Sequence, residues 1–88
     1  MIERTVTIRN RSGLHTRPAA TLVKTAARFA SEFYIKKDSF EINGKSIIGV
    51  MTLAAEQGST LVLTFSGRDE TEMAEAVVGL FEKGFGEL

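Results

Sequence analysis

The hydrophobic period of this chain changes from two to about 3.6 between residues 8 and 19, and changes back again further on. Ile2, Val6 and Ile8 fall on one face of an extended segment, with Glu3, Thr5 and Thr7 on the other. After a loop at Asn10 to Gly13, Ala19, Leu22, Val23, Ala26 and Phe29 recur at helical spacing, which predicts a helix from Thr16 to about Arg28. Pro18 suits its first turn, where a missing N–H costs nothing. Phe33 and Ile35 alternate with Tyr34 and Lys36, and Phe40 and Ile42 add a short strand beyond a Lys37–Ser39 turn.

Asn43-Gly44 is a turn signal, and Ser46 then precedes IIGVMTLAA as a candidate N-cap. Gly49 inside that short helix costs roughly 1 kcal/mol against alanine, so tertiary contacts must hold it. Leu61, Leu63 and Phe65 alternate with Val62 and Thr64 in a fourth strand, after a Gln57-Gly58 turn. Asp69 and Glu72 have the spacing of a capping box. The helix that follows carries an apolar stripe of Met73, Ala76, Val77, Leu80 and Phe81, and Gly84 is its stop. The order β-α-β-β-α-β-α lets one face of a four-stranded, mostly antiparallel sheet be covered by helices, an α+β arrangement.

Eighty-eight residues suffice for one domain with one core, spanning 1–88. A hydrophobic fraction of 43% suits a folded globule. No apolar run approaches the roughly 20 residues of a membrane span, so membrane insertion is not expected. MIERTVTI lacks the apolar stretch of a secretion signal, and there is no cysteine, so a cytoplasmic protein without disulfide or thiolate chemistry is expected. One histidine cannot build a multi-histidine metal site, and although its carboxylates leave an oxygen-ligand site open, no metal or cofactor is expected.

The net charge is zero but unevenly spread. Arg4, Arg9, Arg11, Arg17, Lys24 and Arg28 stand in a stretch between Arg4 and Ser31 that has no acidic residue. From Gly67 onward Asp69, Glu70, Glu72, Glu75, Glu82 and Glu87 face only Arg68 and Lys83. A solvated surface and an electropositive half that meets an anionic partner are both compatible with this pattern.

The stretch SGLHTRPAA, residues 12–20, holds the only histidine and the only proline. Gly13 allows a tight turn, and Pro18 fixes the helical turn just after His15. His15 therefore falls at or beside a helix N-cap, near N–H groups without intrahelical partners, which together with the macrodipole attract anions. A neutral imidazole nitrogen is a competent nucleophile near pH 7. Arg17 is placed to neutralise a phosphoryl group bidentately. A capping or surface histidine is the plainer alternative, and a Ser-His-Asp triad lacks a nearby acid.

GLHTRPA resembles the active-site motif of HPr, the histidine phosphocarrier family of the bacterial phosphoenolpyruvate-dependent sugar phosphotransferase system, and KSIIGVM at residues 45–51 resembles its second motif. The resemblance spans essentially the whole chain. It implies an open-faced β-sandwich with antiparallel strand order 1-4-2-3 and three helices on one face. It implies that His15 accepts a phosphoryl group from phospho-enzyme I on Nδ1 and passes it to a sugar-specific enzyme IIA, assisted by Arg17. It implies that Ser46, otherwise a helix cap, is a regulatory target of HPr kinase/phosphorylase. It also implies a docking surface of Thr16, Ala20, Lys24, Ile47, Ile48 and Met51, in a monomeric carrier rather than an enzyme. Ala27 stands where many members have a second lysine, which leaves either Arg28 as a substitute or a weaker partner contact.

Two rivals remain at the level of sequence. One is a regulatory relative acting in carbon-catabolite signalling without sugar transport. The other is a nucleic-acid-binding module using the basic half, although the strands show no run of exposed aromatics for base stacking.

Overall fold

In a computed structural model, residues 1–87 are described. The elements are β1 (Ile2–Thr7), α1 (Thr16–Ala26), β2 (Glu32–Lys37), β3 (Phe40–Asn43), α2 (Ile47–Thr52), β4 (Thr60–Ser66) and α3 (Glu70–Glu82), followed by a 3-10 turn at Gly84–Gly86. All strand pairings are antiparallel and the order is β1-β4-β2-β3, so both chain halves contribute to the middle of the sheet.

Strand alternation decides which face is covered. Val6, Leu61, Leu63, Phe65, Phe33 and Ile35 turn to one side and are buried, with Leu22, Ala26, Met73, Val77 and Phe81 laid over them from α1 and α3. Phe33 and Phe65 are register partners and stack face to face, with ring centroids 4.9 Å apart. The opposite face carries Glu3, Thr5, Lys36, Glu41, Thr60 and Thr64 and stays open to solvent.

Four expectations need correction. The first helix ends at Ala26, and a turn replaces its last residues. The second spans only Ile47–Thr52, because Leu53 is its cap and Ala54 adopts a left-handed backbone with φ 49°. On α3, Ala74 is buried and Ala76 only half-buried, a small rotation of the stripe. Phe40 alternates correctly with Ile42 yet is 72% exposed, at the hairpin end of edge strand β3.

The capping box also fails to form. Asp69 stands at the N-cap of α3 but makes no cap bond there. Its carboxylate instead accepts hydrogen bonds from the Ala30 and Ser31 N–H groups, each at 2.9 Å, and from the Ser31 hydroxyl. The long-range loop thus occupies the side chain that the helix would have used. Glu70, not Glu72, reaches back, accepting from the Gly67 N–H at 3.1 Å. These donors hold the Asp69 carboxyl down from 3.8 to about 2, the Ser31 hydroxyl foremost, and the Gly67 N–H lowers Glu70 in the same direction.

Candidate functional site

The loop that presents His15 is built from the inside out. Asn10 is fully buried and donates its amide to the Gly13 carbonyl at 2.8 Å, while the Gly13 N–H returns to the Asn10 carbonyl at 3.2 Å. Gly13 has φ 65°, and a Cβ there would stand 2.4 Å from the Ala55 carbonyl oxygen, so only glycine passes. Leu14 is buried, and its N–H donates to that same Ala55 oxygen at 3.0 Å. The chain then emerges at His15, exposed and extended (φ −75°, ψ −172°), as the N-cap of α1.

The His15 side chain makes no cap bond. Its carbonyl accepts the first intrahelical N–H, from Ala19 at 2.9 Å. Upstream of Ala19 the Thr16 and Arg17 N–H groups have no intrahelical acceptor, and Pro18 has no N–H at all. No acidic residue occupies this first turn to compete for them. An imidazole that is uncommitted and solvent-facing therefore stands beside two spare donors and the positive end of α1.

Arg17 lies in that turn with its side chain 81% exposed, one guanidinium nitrogen 3.8 Å from a Glu87 carboxylate oxygen. The other Glu87 oxygen accepts from the Ser12 hydroxyl at 2.8 Å and from the Asn10 amide at 3.2 Å. Glu87 thereby ties the histidine loop to the helix it precedes. A long, solvated ion pair of this kind contributes little energy, so the guanidinium exchanges one anion for another readily. Nothing in the motif around His15 signals Glu87, which stands 75 residues from Ser12; only the opposed charges of the two chain halves hinted at such pairing.

Ser46 is the N-cap of α2 and accepts the Gly49 N–H at 3.1 Å through its hydroxyl. The neighbouring Lys45 ammonium donates to the Phe29 carbonyl at 2.7 Å, which anchors the start of α2 to the turn after α1. Val50 faces the core, while Ile47, Ile48 and Met51 are 41%, 76% and 41% exposed. Thr16, Ala20 and Lys24 are exposed along α1, which packs against α2. Met51 and His15 share a depression of about 310 Å³ with Leu14, Ala54, Ala55 and Glu56, so the apolar patch and the imidazole adjoin. Among the described residues no group of three metal-ligating side chains gathers, and no helix is long and apolar enough to cross a membrane.

An antiparallel sheet with helices over one face thus presents one exposed imidazole at a helix start. Residues 2–83 match the family described as the PTS HPr component phosphorylation site, and the chain belongs to that HPr family. It is 46% identical over 83 residues to the HPr-like protein Crh of Halalkalibacterium halodurans, covering 94% of this chain and 99% of that one. To the phosphocarrier protein HPr of Treponema pallidum it is 44% identical over 87 residues, covering 99% of each. The crystal structure of HPr-C-His from Thermoanaerobacter tengcongensis superposes with a TM-score of 0.97 at 45% identity, covering 100% of this chain and 99% of that one. An HPr dimer from the same organism superposes at 0.80, with 46% identity and 99% and 100% coverage.

Proposed function

We propose that the protein is a histidine phosphocarrier in which His15 takes a phosphoryl group from phospho-enzyme I and yields it to a sugar-specific enzyme IIA. The observation that carries this reading is the uncapped, exposed imidazole of His15 beside the spare Thr16 and Arg17 N–H groups. A lone pair of the His15 ring attacks phosphorus, a new N–P bond forms, and the bond to the donor's nitrogen breaks, leaving its electron pair on the donor. Arg17 leaves Glu87 and takes the phosphoryl oxygens, which replaces a weak ion pair with charge-assisted donors. The same steps run in reverse order of partners for delivery, so the chain is a stoichiometric carrier and not an enzyme.

Partners seat on Thr16, Ala20, Lys24, Ile47, Ile48 and Met51. The exposure of Ile47, Ile48 and Met51, with Met51 lining the His15 depression, supports this reading. Ser46 is a regulatory phosphorylation site for HPr kinase/phosphorylase. A phosphate there sits at the positive end of α2 and adds nearly two negative charges at the edge of the apolar patch. The carrier works in the cytoplasm, as a monomer, without nucleic acid.

A second reading is favoured by the similarity to Crh: a regulatory relative whose sites serve signalling without sugar transport. A chase experiment separates the two. Protein labelled from phosphoenolpyruvate and enzyme I, then mixed with an enzyme IIA, loses its label to that acceptor if it is a transport carrier. Label retained after every enzyme IIA of the source cell has been offered supports the regulatory reading.

A further inference from the structure

We infer that Glu56 is a specificity-determining residue for phosphoryl exchange at His15, a carboxylate that selects partners bearing a cation at the rim of the histidine depression. The inference rests on the carrier reading and assigns a role within the same site. The depression is lined by Leu14, His15, Met51, Ala54, Ala55 and Glu56, and of these walls only Glu56 carries a carboxylate. Its backbone is pinned on both sides: its N–H donates to the Ser59 hydroxyl at 3.1 Å, and its carbonyl accepts the Ser59 N–H at 2.9 Å. The Cα from which the side chain springs is therefore held in place. The residue is exposed and pairs with no cationic side chain among the described residues, whereas Glu87, on the Arg17 side, is already engaged.

An unpaired anion at this position acts on whatever enters. A partner resting on Met51 and reaching His15 crosses the Glu56 rim, and it arrives carrying a phosphoryl group of like charge. Repulsion at a solvated rim changes the association rate and its salt dependence more than it changes the bound geometry. A partner with an arginine or lysine facing Glu56 turns the same charge into attraction, and one without it is disfavoured. Glu56 therefore filters partners by charge, outside the apolar patch that gives general adhesion.

The test measures kcat/KM for transfer from phospho-enzyme I to wild type, Glu56→Gln, Glu56→Asp and Glu56→Lys. Measurements are made at about 0.01 M and about 1 M salt, where charges are screened over about 30 Å and about 3 Å. Against an enzyme I lacking the facing cation, Glu56→Gln should raise the low-salt value roughly two- to tenfold and Glu56→Lys more, with Glu56→Asp near wild type. Against one that supplies the cation, the order should invert. In both cases the differences should collapse at high salt, which lost folding would not produce. Equal low-salt values for wild type and Glu56→Gln with every enzyme I offered, or differences that persist at high salt, would overturn the inference alone. Failure of the wild type to accept any phosphoryl group would overturn the carrier reading, and this inference with it.

Discussion

Replacing Ala54 with glycine should stabilise this protein, because Ala54 stands just past the end of α2 where glycine is the preferred residue, although within a helix glycine is the poorer one. Ala54 ends α2 with φ 49°, in the left-handed region. There an L-residue's Cβ crowds the following carbonyl, at about 1–2 kcal/mol per residue. Glycine removes that strain and widens the unfolded ensemble, an opposing loss of about 0.4–1 kcal/mol. The methyl group itself is exposed, so its removal opens no cavity. Midrange values of the two terms leave a net gain of about 0.8 kcal/mol. For a chain of this size each kcal/mol moves Tm by roughly 4–8 °C, so Ala54→Gly should melt about 3–6 °C higher. Calorimetry or circular dichroism at neutral pH measures it. Because the Leu14 N–H still finds the Ala55 oxygen, the His15 loop should keep its form and accept phosphoryl groups at the wild-type rate. A lower Tm would show that the turn holds no relievable strain, and the reasoning would be wrong.

The Asp69 clamp makes a pH prediction with a definite sign. Its folded pKa is depressed from 3.8 to about 2, so its stabilisation is complete above pH 3.8 and disappears as pH falls through 2. Melting curves across that window should show an acid-side decline in the wild type that is smaller in Asp69→Asn; parallel declines would refute the clamp. Arg17→Ala should slow phosphoryl transfer roughly ten- to a thousandfold while leaving Tm nearly unchanged, since the ion pair it loses is long and solvated. Unaltered single-turnover transfer would remove Arg17 from the mechanism. Ser46→Asp should raise the Michaelis constant for phosphorylation by enzyme I, with true phosphoserine doing so more strongly because it carries more charge. Ser46→Ala should keep normal kinetics and lose about 1 kcal/mol with the cap bond to Gly49; equal Michaelis constants for all forms would make Ser46 a cap only.

Much of the architecture follows from local pattern. The shift of period between Ile8 and Ala19 separates β1 from α1, and Asn43-Gly44 marks the turn before α2. Gly13, His15 and Pro18 place the imidazole at a helix start because each acts on its own neighbourhood. What local pattern hides is set by partners distant in the chain. Asp69 looks like a helix cap, and only the fold brings Ser31 to it across 38 positions. Glu87 reaches Ser12 across 75, and Glu56 becomes notable only when the Leu14–Ala55 bond folds it beside His15. Ala54 misleads in the other direction: alanine is the best helix former by propensity, yet here tertiary packing turns it left-handed and ends α2 early.

One measurement tests the central claim most directly. Wild type and His15→Ala are incubated with phosphoenolpyruvate and enzyme I, and the bound phosphate is located by peptide mass spectrometry under alkaline conditions. The wild type should carry an acid-labile, alkali-stable phosphoryl group on His15, and a fully folded His15→Ala should carry none. Undiminished labelling of the variant, or an unlabelled wild type, would contradict the assignment of His15 as the phosphoryl acceptor.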